Sequence, residues 1–308
     1  MRIYREAYSF ILFLLVFFLV TFAPGALSAA QVQPSERYFL SGDGLLQLSN
    51  AKNGKSGKIR YRLPDGSYPQ AAQQKIDRIF GISASSDENI SLRFISFLDY
   101  FEDRFQRSIR IISGYRSPAY NASLRKRGAL AAKTSLHMEG MAADIQVGKR
   151  IGAQAFEMIK ELDCCGVGYY HGSSLHVDTG PARYWDETSS QVQTDISDHN
   201  KRIMARTDKD IYLPGETIQL RLARITDYPL GVVSGFAIVR NEHVLQEFSL
   251  SGNRDACLAI RDPRDKTMRW TIPADFQANE KVQIQLRFCD KPFPEMLDQI
   301  ESNPIVIQ

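Results

Sequence analysis

The stretch SLHMEGMAAD, residues 135–144, decides how the first half of this chain is interpreted. It contains His137 and, seven residues later, Asp144, and a second histidine follows at His176. Two neutral imidazoles and one carboxylate form a three-ligand set that leaves a coordination position open, as in catalytic zinc sites. The sequence therefore predicts a metal site at which these three side chains converge, although they lie far apart along the chain.

The residues around His176 indicate further members of this site. Residues 166–170 and 175–178 are predicted to form a hairpin, because both are short apolar runs separated by a turn. Successive side chains of a strand point to opposite faces, so His176 and Asp178 share a face. Asp178 is therefore predicted to stand beside the metal as the general base, and His171, in the turn, is a candidate extra donor.

The first 30 residues have the pattern of a secretory signal peptide. Arg2 and Arg5 precede an apolar run at residues 10–22, and small residues follow up to Ala30. The apolar run is too short to span a bilayer comfortably as a helix. We expect export with cleavage near Ala29 or Ala30; an uncleaved leader that anchors the chain to the membrane is the alternative.

Length and composition predict two domains after this leader. The 308 residues include 44% hydrophobic residues, enough for ordinary cores. Residues 31–188 alternate helical and strand patterns, with helices predicted at 70–80, 91–105, 120–127 and 151–162, and this indicates an α+β domain. A polar linker is predicted at 189–203. Residues 204–308 contain short alternating strands between turns, which favours an all-β, immunoglobulin-like sandwich. The net charge of +3 is too small to indicate a nucleic-acid partner.

The four cysteines do not have the spacing of a metal site. An even number in an exported chain permits disulfides, with three possible pairings. A bond between the neighbours Cys164 and Cys165 would be strained, so these two are expected to be free or structural. Cys257 with Cys289 is the predicted bridge.

Several motifs together resemble those of the murein endopeptidase K family. The family comprises exported zinc peptidases of bacterial peptidoglycan, related to the zinc D-alanyl-D-alanine carboxypeptidases and to the hedgehog fold. The resemblance covers roughly residues 38–185 and says nothing about the residues after the linker. It is carried, in order, by SGYRSP at 113–118, Asn121, the 135–144 stretch, Gly166-Val-Gly168, and HVDTG at 176–180 with Arg183 and Trp185.

The resemblance implies a small antiparallel-sheet peptidase with Zn²⁺ held by His137, Asp144 and His176. It implies a periplasmic or cell-envelope enzyme that cleaves peptidoglycan peptides, as an endopeptidase or a D,D-carboxypeptidase. Zinc would activate a water molecule, and Arg116 would hold a substrate carboxylate or stabilise the oxyanion. In several relatives an acid three positions before the last histidine serves as base. Ser173 occupies that position here, so the base role is assigned to Asp178 on same-face grounds.

Two other functions remain open from the sequence. One is a non-catalytic peptidoglycan-binding protein that retains a metal site. The other is a non-haem iron oxygenase, in which His176 and Asp178 would be joined by His199 or His243. The Tyr-x-Pro-Gly-Glu motif at 212–216 resembles strands that open sandwich modules in large bacterial and complement-like proteins. It suggests a binding or spacer module, or a purely structural appendage.

Overall fold

The computed structural model describes residues 36–128, 131–188 and 197–308, and all of them belong to one compact unit. The predicted signal peptide and residues 189–196 of the predicted linker lie outside these ranges. The domain boundaries at 188 and 204 therefore stay predictions. Among the described residues, none of the helices combines the length and apolar character needed to cross a bilayer.

Residues 36–188, which we call the N-terminal region, form a seven-stranded sheet with helices. All four helices predicted from the sequence are present, and the 166–178 hairpin is confirmed as an antiparallel pair. The helices are α1 (Gln70–Phe80), α2 (Leu92–Phe105), α3 (Pro118–Lys126) and α4 (Lys149–Leu162). The strands are β1 (Leu45–Asn50), β2 (Ser56–Arg60), β3 (Ile109–Ser113), β4 (Ala142–Gln146), β5 (Gly166–Tyr169), β6 (Ser174–Asp178) and β7 (Arg183–Asp186).

The sheet is mixed, so the prediction of a small antiparallel sheet is wrong. Its strand order is β2-β1-β3-β4-β6-β5-β7. Four neighbouring pairs are antiparallel, but β1 pairs with β3, and β5 with β7, in parallel. Parallel neighbours need a crossover of a dozen or more residues. The chain between β1 and β3 supplies one, because it includes both α1 and α2.

One face of the sheet packs against helices, and the other carries three of the residues that the sequence analysis assigned to the site. Helix α4 packs on β5 and β6, while α1 contacts β1 and β2. The residues of the central strands β4 and β6 that point into this core are fully buried: Ala143, Ile145, Leu175 and Val177. Because side chains alternate along a strand, Asp144, His176 and Asp178 project from the opposite face.

Residues 197–308, the C-terminal region, are all β apart from a short 3₁₀ turn. The strands are β8 (Met204–Thr207), β9 (Ile211–Tyr212), β10 (Thr217–Ala223), β11 (Leu230–Val233), β12 (Gly235–Arg240), β13 (His243–Ser249), β14 (Cys257–Ile260), β15 (Thr267–Thr271), β16 (Ala278–Asp290), β17 (Gln299–Glu301) and β18 (Ile305–Ile307). A three-stranded sheet has the order β15-β10-β8. A larger sheet contains β13-β12-β16-β11-β14, with β17 and β18 also paired to β16 and β9 to β18.

Both sheets of the C-terminal region contribute to one apolar core. Leu220 and Trp270 enter it from the smaller sheet, and Ile238 and Leu286 from the larger one. The all-β character predicted for these residues is therefore found, while the immunoglobulin-like arrangement stays a prediction.

Both pairs of cysteines are joined by disulfide bonds. The predicted Cys257–Cys289 bridge is present and connects β14 with β16. Cys164 and Cys165 are also bonded to each other, directly after α4. The sequence argument disfavoured this bond between neighbours, and the structure contains it.

The two regions are held together by buried ion pairs and a small apolar cluster. Arg93 of α2 donates from Nε to Asp210 Oδ1 at 2.7 Å, and both residues are buried. Arg37 makes a two-pronged pair with Glu216, with both distances at 2.9 Å. The apolar cluster joins the 135–144 stretch to the C-terminal region and consists of Leu136, Met141, Ala142, Met204 and Ala223.

Candidate metal centre

The pairing of β4 with β6 brings Asp144 and His176 together. The two strands are antiparallel, and in their register Asp144 lies directly opposite His176. Directly opposite residues of an antiparallel pair have Cβ atoms about 4.5–5.5 Å apart. Neighbouring strands thus supply two of the three predicted ligands.

His137 reaches the same place from a 3₁₀ turn at Leu136–Glu139, immediately before β4. The turn ends at Gly140, whose φ of 64° is in the left-handed region that favours glycine. A Cβ atom there would also lie 2.3 Å from the carbonyl oxygen of Asn89. Gly140 therefore permits the sharp change of direction that carries the chain from His137 into Asp144.

The three predicted ligand atoms converge. His137 Nε2 lies 3.3 Å from His176 Nδ1, and Asp144 Oδ1 lies 3.0 Å from His176 Nδ1 and 3.5 Å from His137 Nε2. Ligand atoms at Zn–N and Zn–O bond lengths in a tetrahedral site are about 3.3 Å apart. The spacing of these atoms therefore suits a single zinc ion.

The hydrogen bonds of both histidines leave the converging nitrogen atoms free to bind a metal. His137 Nδ1 lies 2.8 Å from the carbonyl oxygen of Gly114, which can only accept, so the proton is on Nδ1. His176 Nε2 lies 2.8 Å from Asp178 Oδ2 and donates to it in the same way. The lone pairs of His137 Nε2 and His176 Nδ1 then face each other and the Asp144 carboxylate. These lone pairs and the carboxylate repel one another, whereas a cation placed between them would attract all three.

Burial and charge act on these groups in opposite directions. Burial lowers the pKa of His137, although the Asp144 carboxylate opposes this shift. Burial also lowers the pKa of His176, but the neighbouring carboxylates of Asp144 and Asp178 outweigh it and leave that pKa raised. Burial would raise the pKa of Asp144, yet the two histidines hold it well below its usual range. Asp144 is thus an ionised carboxylate, the form in which it binds metal ions.

Asp178 shares a face with His176, as predicted, but its position does not suit a general base. The residue is fully buried, and its carboxylate contacts His176 Nε2, the ring nitrogen that points away from the converging atoms. Arg183 binds both carboxylate oxygens, at 3.0 and 2.6 Å, and the amide of Gly180 donates at 2.7 Å. Burial raises the pKa of Asp178, but the Arg183 charge and the His176 hydrogen bond outweigh it and hold the pKa well below its usual range. This geometry corrects the base assignment and favours a carboxylate that orients His176.

Two glycines of β5 make room for this arrangement. A Cβ atom on Gly166 would lie 2.2 Å from Asp178 Oδ2, and one on Gly168 would lie 2.3 Å from the Trp185 ring. The Trp185 ring lies 5.0 Å from the ring of His176, measured between centroids. The Gly-Val-Gly strand is therefore required by the side chains that cover it.

The other two predicted catalytic residues lie at different places. Arg116 adjoins the centre, because its Nη2 donates to Asp144 Oδ2 at 2.8 Å and its Nε to Ser113 Oγ at 3.1 Å. His171 is exposed, and its Nε2 faces Asp186 rather than the three converging atoms. The structure therefore brings Arg116, but not His171, to the predicted ligands.

Arg183 and Tyr170 were not assigned roles from the sequence. Arg183 falls in the motif that carries the family resemblance, and this was the signal available for it. Tyr170 lies in the β5–β6 turn, and its pKa is raised by burial and then by the charge of Asp144. Its hydroxyl therefore stays protonated.

Glu139, the last residue of the 3₁₀ turn Leu136–Glu139, is largely buried. Its carboxylate pairs with Arg221 at 3.2 Å and with Lys266 at 3.6 Å, both in the C-terminal region. Leu136 of the same turn packs in the apolar cluster. Both Glu139 and Leu136 therefore connect the turn that carries His137 to the C-terminal region.

The histidines required by the oxygenase alternative lie elsewhere. The ring of His199 stacks on Phe293, and His243 is exposed at the start of β13. Neither belongs to the group of three potential metal ligands formed by His137, Asp144 and His176.

Known proteins are similar to the N-terminal region of this chain. A family described as peptidoglycan L,D-endopeptidase MepK matches residues 42–185. The Escherichia coli (strain K12) protein named peptidoglycan L,D-endopeptidase MepK is 38% identical over 145 residues, which are 46% of this chain and 79% of that protein. A Haemophilus influenzae protein, named probable peptidoglycan L,D-endopeptidase MepK, is 30% identical over 147 residues, or 46% of this chain and 78% of its own. The C-terminal region lies outside the family match.

Proposed function

This chain belongs to the peptidoglycan L,D-endopeptidase MepK family, and from this membership we propose that it hydrolyses peptide bonds within bacterial peptidoglycan. The relatives are named for cleavage of L,D bonds, so an L,D-endopeptidase is the activity we propose in preference to a D,D-carboxypeptidase. An enzyme that hydrolyses peptidoglycan must reach the cell wall, which supports the predicted location in the periplasm or cell envelope.

The convergence of His137, Asp144 and His176 is the observation that carries this proposal. We propose that these three side chains hold Zn²⁺, because their free lone pairs meet at spacings that suit the ion. When bound, zinc would polarise the scissile carbonyl and activate a water molecule. Asp178 and the Gly114 carbonyl fix the two imidazole rings, and carboxylate or carbonyl partners of this kind orient metal-binding histidines.

The residues beside the ligands would position the substrate. Arg116 has two of its nitrogens engaged with Asp144 and Ser113, which leaves Nη1 for a carboxylate of the wall peptide or for the oxyanion. The protonated hydroxyl of Tyr170 would donate to the same developing charge. His171 is exposed at the turn, so any contact it makes with an extended substrate would lie away from the reacting bond.

Digestion of purified sacculi tests the proposed function. The protein loaded with zinc should release muropeptides whose new ends come from an amide between an L-centre and a D-centre. Cross-links that join two D-centres should survive. The contrary result, intact sacculi at full zinc occupancy together with binding of the protein to them, would support a non-catalytic wall-binding protein instead.

Replacing Arg116 with lysine should lower kcat on the order of 10²-fold, the usual cost of losing an oxyanion donor. Lysine keeps the charge but not the fork of donors that reaches Asp144, Ser113 and the substrate together. Steady-state cleavage of a defined cross-linked muropeptide measures this effect. Arg110→Lys is a matched control, because Arg110 is an exposed arginine of the neighbouring strand β3. Equal rates for wild type and Arg116→Lys would remove Arg116 from the reaction.

A further inference from the structure

A cavity of about 470 Å³ lies between the N-terminal and C-terminal regions. Thr179 and Pro181, which follow β6, line one side, and Ala205 and Arg206 of β8 line another. Its volume is within the range of about 300–1,000 Å³ that is typical of sites for small organic molecules. None of the three predicted metal ligands lines it.

Arg206 has a guanidinium group that the described residues only partly satisfy. Its Nε and Nη2 are shielded from solvent and have no hydrogen-bond partner among those residues. Two neighbouring acids are already committed, because Asp210 is bound by Arg93 and Asp178 by Arg183. Burial lowers the pKa of Arg206 to about 9, so the group still carries its charge at neutral pH. A buried charge without a partner is costly to stability, which calls for a reason to retain it.

The rest of the lining is mainly apolar. Phe97, Leu162 and Met204 contribute side chains, and the Cys164–Cys165 disulfide forms part of the wall. Thr179 adds a buried hydroxyl that also has no hydrogen-bond partner among the residues described. The cavity thus combines an apolar surface with one unsatisfied cation and one unsatisfied hydroxyl.

None of the other charged groups of the lining is hydrogen-bonded to Arg206 Nε or Nη2. Glu301 accepts a hydrogen bond from Gln285 at 3.2 Å instead. Lys281 places its ammonium group 4.7 Å from the centre of the Phe39 ring. Asp163 is exposed at the end of α4 and makes no bond to Arg206.

We propose that this cavity binds a small organic monocarboxylate, separately from the metal centre. The carboxylate would accept hydrogen bonds from Arg206 and from the Thr179 hydroxyl, and the apolar part would lie against Phe97, Leu162 and Met204. A guanidinium binds carboxylates through parallel hydrogen bonds, which gives this site its preference for an anion. Either a free fatty carboxylate or the C-terminal carboxylate of a short peptide offers this chemistry.

Calorimetry with two pairs of probes tests the proposal. Hexanoate represents the free acids and N-acetyl-leucine the peptide termini, and hexanamide and N-acetyl-leucinamide are their uncharged counterparts. At least one carboxylate should bind at least tenfold more tightly than its amide, and the stronger of the two identifies the source. Labelled methionine methyl groups locate the site, because Met204 should shift on binding whereas Met296, in the C-terminal core, should not.

The Arg206→Met variant separates ligand binding from a structural role. It removes an uncompensated charge, so we expect thermal stability to be kept or increased while carboxylate binding falls at least tenfold. Arg269→Gln, at an exposed arginine of β15, should change neither property. Three results would overturn the proposal: equal binding of acids and amides, undiminished binding by Arg206→Met, or no shift at Met204. Lower stability of Arg206→Met with unchanged binding would assign the residue a structural role only.

Discussion

Replacing His137 with alanine should abolish tight zinc binding and reduce cleavage of sacculi by at least ~100-fold. Losing only the hydrogen-bond partner of a metal-binding histidine already lowers metal affinity or activity 10–100-fold, and losing the ligand itself should cost more. His137 supplies one of three converging atoms, and Asp144 and His176 alone leave the ion with two protein ligands. The fold should persist, since the apolar core packs on the sheet face opposite the converging side chains. Zinc content after dialysis and muropeptide release measure the two effects.

His243→Ala is the matched control, because it removes an exposed histidine that lies on β13. This variant should bind zinc and cleave sacculi like the wild type. A chelator should reproduce the His137→Ala defect in the wild type, and added zinc should reverse it there but not in the variant. If His137→Ala kept a stoichiometric metal ion, the three-residue assignment would be wrong and a ligand set such as that of an iron oxygenase would have to be reconsidered.

The sequence predicted helix α2 well because its apolar residues recur at helical spacing. In α2, Phe94, Leu98 and Phe101 recur at helical spacing, and all three are fully buried against the sheet. The strand alternation around His176 also placed His176 and Asp178 on one face, and the structure buries Leu175 and Val177 on the other. These patterns are local, so one sequence is enough to recognise them.

Strand order and cross-region contacts could not be derived in this way. The register that sets Asp144 opposite His176 depends on β4 and β6 being neighbours, although 32 positions separate the two residues. Glu139 looks like a surface acid until Arg221, 82 positions away, is placed beside it. The parallel pairing of β5 with β7 could not be recognised either, because β7 is only four residues long and its sequence does not show which strand it pairs with.

The role of Asp178 depends on a contact that strand alternation cannot reveal. The alternation argument correctly placed Asp178 on the same face as His176, and it then assumed that this face was open to water. Arg183 instead folds back and binds both oxygens of the carboxylate, which is fully buried. A general base must reach the reacting water directly or through one other water. Asp178 faces the opposite ring nitrogen of His176.

We therefore expect Asp178→Asn to weaken zinc affinity by 10–100-fold, as is typical for a carboxylate that orients a metal-binding histidine. Asparagine can still accept one hydrogen bond from Gly180 or Arg183, but its amide no longer holds the His176 proton as a carboxylate does. The free energy of unfolding should fall by on the order of 1–3 kcal/mol, since Arg183 loses a buried ionised partner. Zinc titration, denaturant unfolding and muropeptide release measure these three quantities.

The response to added zinc distinguishes an orienting carboxylate from a base. If Asp178 orients His176, excess zinc should restore much of the activity of Asp178→Asn, because the defect lies in occupancy of the site. If Asp178 were the base, the variant would bind zinc normally and stay inactive at saturation, because a missing proton acceptor cannot be replaced by metal. Asp87→Asn, at an exposed carboxylate remote in sequence from the centre, should resemble the wild type in every assay. Arg183→Ala should show the same zinc-dependent recovery as Asp178→Asn, since it acts on His176 through the same carboxylate.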